Sequence, residues 1–206
     1  MIAWIKDPAE IYRRSFAAIR AEIDLGGVPA DLHDLIIRVV HACGMPEIVA
    51  DLAWSDGAAA RGIAALRAGA PVLVDAEMVA HGIIESRLPM ANRVVCTLGD
   101  PVVARTARTL GTTRSATAVE LWRPMLDGAV VALGNAPTAL FRLLELMAEG
   151  AARPALILGF PVGFVGAAES KEALAAGNLP FITLKGRRGG SAMAAAAVNA
   201  LAGGLE

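Results

Sequence analysis

The chain is poor in cysteine, with only Cys43 and Cys96 in 206 residues. Two cysteines so far apart make neither a disulfide scaffold nor a metal knuckle. No charge of one sign dominates: 19 Lys and Arg stand against 20 Asp and Glu, a net charge of −1. The basic footprint of a nucleic-acid binder is therefore missing. The longest uncharged run, Gly189 to Leu205, is mostly Ala and Gly and contains Asn199. It is too short and too weakly apolar for a bilayer-spanning helix, which needs about 20 strongly apolar residues. Lys6, Asp7, Glu10 and Arg13 interrupt any apolar core of an N-terminal signal. The expectation is a cytoplasmic protein with neither nucleic acid nor membrane as partner.

Lysine is scarce as well. Lys6, Lys171 and Lys185 are the only lysines among the basic residues. The rest are arginines, whose guanidinium fork matches carboxylates. A polycarboxylate ligand suits this bias, and a GC-rich genome would produce the same one. Phosphate motifs are absent too: Gly159, Gly163 and Gly166 are wrongly spaced for a dinucleotide fingerprint, and no Gly-x4-Gly-Lys-Ser/Thr occurs. Gly189-Gly190-Ser191 opens a helix and offers backbone N–H groups to an anion, but it reads equally as a plain helix start.

What is present is apolar and regularly punctuated. Hydrophobic residues make up 55% and charged residues 19%, which excludes disorder. The length fits one domain over residues 1–206, able to bury roughly 70% of its unfolded surface. Leu205-Glu206 reads as a cloning scar. Short continuous apolar runs recur at Val72–Val74, Val94–Cys96, Val130–Ala132, Leu156–Leu158 and Phe181–Thr183. Strands buried on both faces look like this. Helical segments lie between them, as at Pro137 to Glu149 with Leu140, Leu143, Leu144 and Met147 at helical spacing. The alternation predicts an α/β fold with a doubly wound, mainly parallel sheet and helices on both faces.

Two helices are expected before the first clear strand. One begins at Asp7-Pro8-Ala9-Glu10, with Tyr12, Phe16, Ile19 and Ile23 inward and Arg13 and Arg14 off the core face. The other runs from near Pro29 to Gly44, with Leu32, Leu35, Ile36, Val39 and Val40 inward. Thr112-Thr113-Arg114-Ser115 reads as the cap of a further helix.

In such a sheet, ligands bind beyond the carboxyl ends of the strands. Those ends are polar here: Asp75-Ala76-Glu77, Thr97 to Asp100, Gly134 to Thr138, Gly159 to Gly163 and Lys185 to Ser191. Any one such loop is ordinary turn chemistry; five on one rim point to a ligand site. His41 shares a helix with Asp34 and Arg38 at spacings of seven and three, on one face away from the apolar stripe. It stands in the last turn before Gly44, where the helix carbonyls favour imidazolium and so a general acid. The competing reading is an inert, solvated histidine. Cys43 points away from His41, Cys96 reads as a core residue, and His33 and His81 lack metal-ligand spacing with His41. No metal site is expected.

At Val40-His41-Ala42-Cys43-Gly44 the chain resembles the precorrin-8X methylmutase family of cobalamin biosynthesis. The resemblance extends through Ile11–Phe16, Asp75–Val79, Thr113–Ser115, Gly134–Leu140, Pro161–Lys171 and Gly189–Met193, with no departure at the motif positions. It implies a homodimeric flavodoxin-like fold, with the active site near the subunit interface and no cofactor. It implies migration of the C11 methyl of precorrin-8X to C12, a 1,5-sigmatropic shift that gives hydrogenobyrinate. The family's proton donor falls on His41. Its substrate-binding positions fall on Arg14, Ser15, Arg38, Arg114, Ser115, Asn135, Thr138 and Gly163. Transient contact with other enzymes of the pathway is expected as well. A methyl shift within one molecule needs no external acceptor, which agrees with the missing nucleotide motifs. Cations would serve the acetate and propionate arms of the macrocycle. The alternatives are a non-catalytic tetrapyrrole carrier, the cobalt-precorrin-8 version of the reaction, and a nucleotide-dependent enzyme, which the failed glycine motifs disfavour.

Overall fold

The computed structural model describes Ile2 and residues 4–204. The pair Leu205-Glu206 lies outside the described residues. Nine α-helices and six strands are described, in the order α1 (Pro8–Glu22), α2 (His33–Cys43), β1 (Leu52–Trp54), α3 (Ala58–Arg67), β2 (Val72–Val74), α4 (Glu77–Gly82), β3 (Val94–Cys96), α5 (Pro101–Leu110), α6 (Arg114–Glu120), β4 (Val130–Leu133), α7 (Pro137–Ala148), β5 (Leu156–Gly159), α8 (Ala167–Ala176), β6 (Phe181–Leu184) and α9 (Ser191–Gly203). The sheet runs β1-β6-β5-β4-β2-β3, with β1 antiparallel to β6 and every other pairing parallel. The five parallel strands, counted by themselves in chain order, run 2-1-3-4-5, which is the flavodoxin-like order. Strand order reverses between β2 and β4.

Alternate residues of each strand feed opposite faces. Val72, Val74, Val130, Ala132, Leu156 and Leu158 join the core beneath α2, α3, α4 and α9. Leu73, Val131, Leu133 and Ile157 join the other core, beneath α6, α7 and α8. All five expected strands form where they were read, as does α7. Two elements escaped the sequence reading. Leu52-Ala53-Trp54 forms an antiparallel edge strand, and α3 follows it, so the first strand comes earlier than expected. A three-residue edge strand centred on Ala gives no β-branched signal. The α3 packing rests on small residues: a Cβ at Gly62 would stand 2.6 Å from Leu156 Cδ2 and 2.9 Å from Leu201 Cδ1.

The two N-terminal helices form a layer outside α9. α1 starts as read, with the Asp7 carboxylate accepting from Ala9 N and Pro8 in its first turn. α2 is preceded by a 3-10 turn at Ala30–Leu32 and ends at Gly44 with φ 67°. That left-handed cap is why Gly stands there. α2 packs along α9 on one side and α1 on the other. Two expectations fail here for that reason. Tyr12 is not inward but about half exposed (48%). Arg38 is not on a solvated face but buried at 7%, with the Phe16 ring of α1 beneath its guanidinium and Gly204, after α9, accepting its Nε–H at 2.9 Å. No helix among the described residues is long and apolar enough to cross a membrane.

Candidate active site

The site residues fall into two groups. The first is built by α1 crossing α2. Ser15 Oγ and His41 Nδ1 are 2.8 Å apart. The imidazole is flanked by Tyr12 at 5.6 Å and by the edge-on Phe16 ring at 5.2 Å between ring centres. A hydroxyl both donates and accepts. Ser15 therefore serves either protonation state, donating to Nδ1 of the neutral ring or accepting from N–H of the imidazolium. Burial pushes the His41 pKa below the ordinary 6.5, and the Arg38 charge lowers it further. This reverses the expectation from the helix end: the α2 carbonyl dipole is outweighed by the aromatic walls and the nearby cation. The free protein therefore disfavours the imidazolium more than a solvated histidine would.

Burial likewise lowers the Arg38 pKa, with the Arg87 charge second. Arg87 Nη1 is itself buried without a hydrogen-bond partner. Two guanidinium groups under mutual repulsion, one with an orphaned donor, are arranged to receive an anion. Sequence reasoning missed Arg87, since nothing in Glu85-Ser86-Arg87 separates it from an ordinary surface arginine. Arg14 stands apart on the exposed side of α1, where it shares Glu10 with Arg13. Arg13 first and Arg14 second hold the Glu10 carboxyl down at about 2.

The second group lies on the carboxyl rim, at the place where strand order reverses. Asp75, just after β2, is buried at 2% and accepts three backbone N–H groups: Gly134 at 2.8 Å, Asn135 at 2.9 Å and Ala136 at 2.7 Å. Burial raises its pKa, opposed by those three N–H donors. Asp75 thereby fixes the loop that presents the exposed Asn135. The sequence reading placed Asp75 on the rim without giving it this task. Gly134 is required by close approach, because a Cβ there would stand 2.6 Å from Ser191 Cα. Thr113 caps α6 by accepting from Ala116 N, and its hydroxyl donates to Thr138 Oγ1 at 2.9 Å. Arg114 Nη2 donates to Leu98 O at 3.3 Å, and Ser115 follows half-buried in the first turn of α6. Gly163 N donates to Arg187 O at 3.1 Å, and Val162 N to Asn135 O at 3.4 Å, which joins three rim loops.

Among the described residues no hydrogen bond or ion pair joins His41, Ser15 or Arg38 directly to the rim group. The loop at 185–190 meets Gly163 through Arg187 O and the segment after α2 through the Arg188–Glu47 pair at 3.3 Å. Cys43 and Cys96 are both free and half-buried, and burial raises both thiols, Cys96 to about 11. Neither is poised as a nucleophile. Among the described residues no group of three or more His, Cys, Asp or Glu could hold a metal ion. A cleft of about 1000 Å³ lies at the opposite end of the sheet between Ser55, Arg61, Arg153 and Asn178. It touches none of these groups.

Residues 10–203 match the family model described as Precorrin-8X methylmutase. A precorrin-8X methylmutase of Pseudomonas aeruginosa is 63% identical over 204 residues, covering 98% of each chain. One from a Sinorhizobium species is 55% identical, covering 97% of this chain and 96% of that one. A cobalt-precorrin-8 methylmutase of Priestia megaterium is 37% identical, covering 94% and 87%. Among solved structures, a precorrin-8X methyl mutase from Thermus thermophilus superposes with a TM-score of 0.86 at 41% identity, covering 94% of each chain.

Proposed function

The chain belongs to the precorrin-8X methylmutase family, and from that premise we propose that His41 lends the proton that drives methyl migration on a bound tetrapyrrole. The enzyme is an isomerase of cobalamin biosynthesis, a precorrin-8X methylmutase. The observation that carries the mechanistic reading is the 2.8 Å Ser15–His41 pair beside the buried Arg38.

In this reading a ring nitrogen takes a proton from the imidazolium of His41. The C11–methyl bond breaks as the C12–methyl bond forms, and the ring's double bonds shift accordingly. The proton returns afterwards, so precorrin-8X and hydrogenobyrinate are isomers and no external group is consumed. The free protein disfavours the imidazolium, so the substrate helps to charge it: a peripheral carboxylate held by Arg38 cancels the cation that depresses the imidazole. Ser15 then accepts from the imidazolium and fixes the ring's direction. Arg14, Arg114, Ser115, Asn135, Thr138 and Gly163 bind the rest of the macrocycle and its arms. The exposed Ile11 and Tyr12 of α1, with the Tyr12 ring against His41, support a homodimer with its site near the interface. The reading also includes a single domain over residues 1–206, a cytoplasmic location and transient contacts with neighbouring enzymes of the pathway.

The metal-free substrate is favoured by the identities to named relatives, 63% and 55% to two precorrin-8X methylmutases against 37% to a cobalt-precorrin-8 methylmutase. The test is the visible spectrum of metal-free precorrin-8X with protein at catalytic ratio, because the migration changes ring conjugation. Complete conversion supports the reading. A spectral change in proportion to added protein identifies a carrier, and conversion of cobalt-precorrin-8 alone reassigns the substrate.

A further inference from the structure

Phe164 and Val165 are large apolar side chains standing almost wholly in solvent, at 87% and 88% exposure. Phe160 and Pro161, at the start of the same loop, are buried. Exposed apolar groups on a well-held segment mark a place where something binds. This segment is held from several sides. Gly163 N donates to Arg187 O at 3.1 Å, Val162 N to Asn135 O at 3.4 Å, and Gly190 N to Phe160 O at 2.8 Å. From beneath, the buried Lys171 ammonium donates to Arg188 O at 2.6 Å. Phe164 is therefore presented outward by a framed loop.

Arg187 completes the arrangement. Its guanidinium carbon stands 5.2 Å from the centre of the Phe164 ring. Arg188 is engaged with Glu47, whereas among the described residues no acid pairs with Arg187. Stacking on the ring pre-sets the guanidinium while leaving N–H donors free. Arg187 itself sits on the loop that meets Gly163 on one side and, through the Arg188–Glu47 pair, the segment after α2 on the other.

We propose that Phe164 and Arg187 are substrate-recognition residues, the ring packing on the flat face of the macrocycle and the guanidinium binding one of its peripheral carboxylates. This rests on the methylmutase reading and adds two residues to it. An apolar face beside an unpaired cation matches a flat ring fringed with acids.

The test titrates hydrogenobyrinate into wild type, Phe164→Ala, Phe164→Leu, Arg187→Ala and Arg187→Lys. Turnover of precorrin-8X and light scattering are measured on the same samples. Loss of a charge-assisted contact or of a stacked ring is expected to raise Kd and KM at least about tenfold in each alanine variant. The value of kcat should stay within about twofold, because the contact is made equally in ground and transition states. Arg187→Lys and Phe164→Leu should each recover part of the loss. Kd and KM within about twofold of wild type in both alanine variants would overturn the proposal. So would weakened binding accompanied by a changed assembly mass, which would make Phe164 a subunit contact. A wild-type protein that neither converts precorrin-8X nor binds hydrogenobyrinate would overturn the methylmutase reading together with this one.

Discussion

His41 shows how burial and a neighbouring charge set a proton donor's readiness. The imidazole is depressed first by burial and then by Arg38, so the free enzyme disfavours its charged form. If its imidazolium is the active form, kcat/KM falls as pH rises through the free enzyme's pKa, and that inflection lies below 6.5. Arg38→Gln removes the cation and should move the inflection upward, even as binding weakens. A pH–rate series on both proteins checks this; an inflection that stays in place or moves down contradicts it. The same shift acts on stability. The unfolded chain takes up the His41 proton first, so this residue's contribution is full above about 6.5 and declines as pH falls towards the folded value. His41 itself was legible through its place before Gly44. Its depressed pKa was not, because the aromatic wall comes from α1 and Arg38 is buried by contacts with Phe16 and Gly204 that are distant in sequence.

Among the elements, the carboxyl-rim loop after β4 depends on one side chain. Asp75 satisfies three backbone N–H groups of Gly134, Asn135 and Ala136. Asp75→Ala leaves those donors without their acceptor and should lower unfolding free energy by about 2–4 kcal/mol. Urea unfolding of the two proteins measures it, and a loss under about 1 kcal/mol would mean that water replaces the carboxylate readily. Element boundaries were readable where a residue had one dominant local role: Asp7 and Pro8 opening α1, Gly44 closing α2 and Pro137 opening α7. They were not readable for β1, whose strand character comes from pairing with β6 rather than from Leu52-Ala53-Trp54 themselves. The three-way role of Asp75 was hidden likewise, because its partners lie about sixty residues on.

For the whole molecule, the mainly parallel sheet and the polar rim followed from five apolar runs and the loops after them, while the strand order and the place of α1 and α2 did not. The helix pair α1–α2 lies outside α9, a placement fixed by tertiary packing. The proposed homodimer has its interface close to His41. Sedimentation equilibrium at micromolar protein should therefore return twice the chain mass, and Tyr12→Glu, on the exposed side of α1, should weaken that association. A wild-type monomer that turns over fully would contradict the shared site.

The most direct measurement compares wild type and His41→Ala at catalytic ratio on precorrin-8X, with hydrogenobyrinate titrated into each. His41 lies at the exposed end of α2 and contributes little to the core, so the variant should keep wild-type circular dichroism. The account predicts that it binds hydrogenobyrinate with affinity close to wild type and shows no turnover. A folded His41→Ala protein that retains most of the wild-type rate would contradict the proton-donor role.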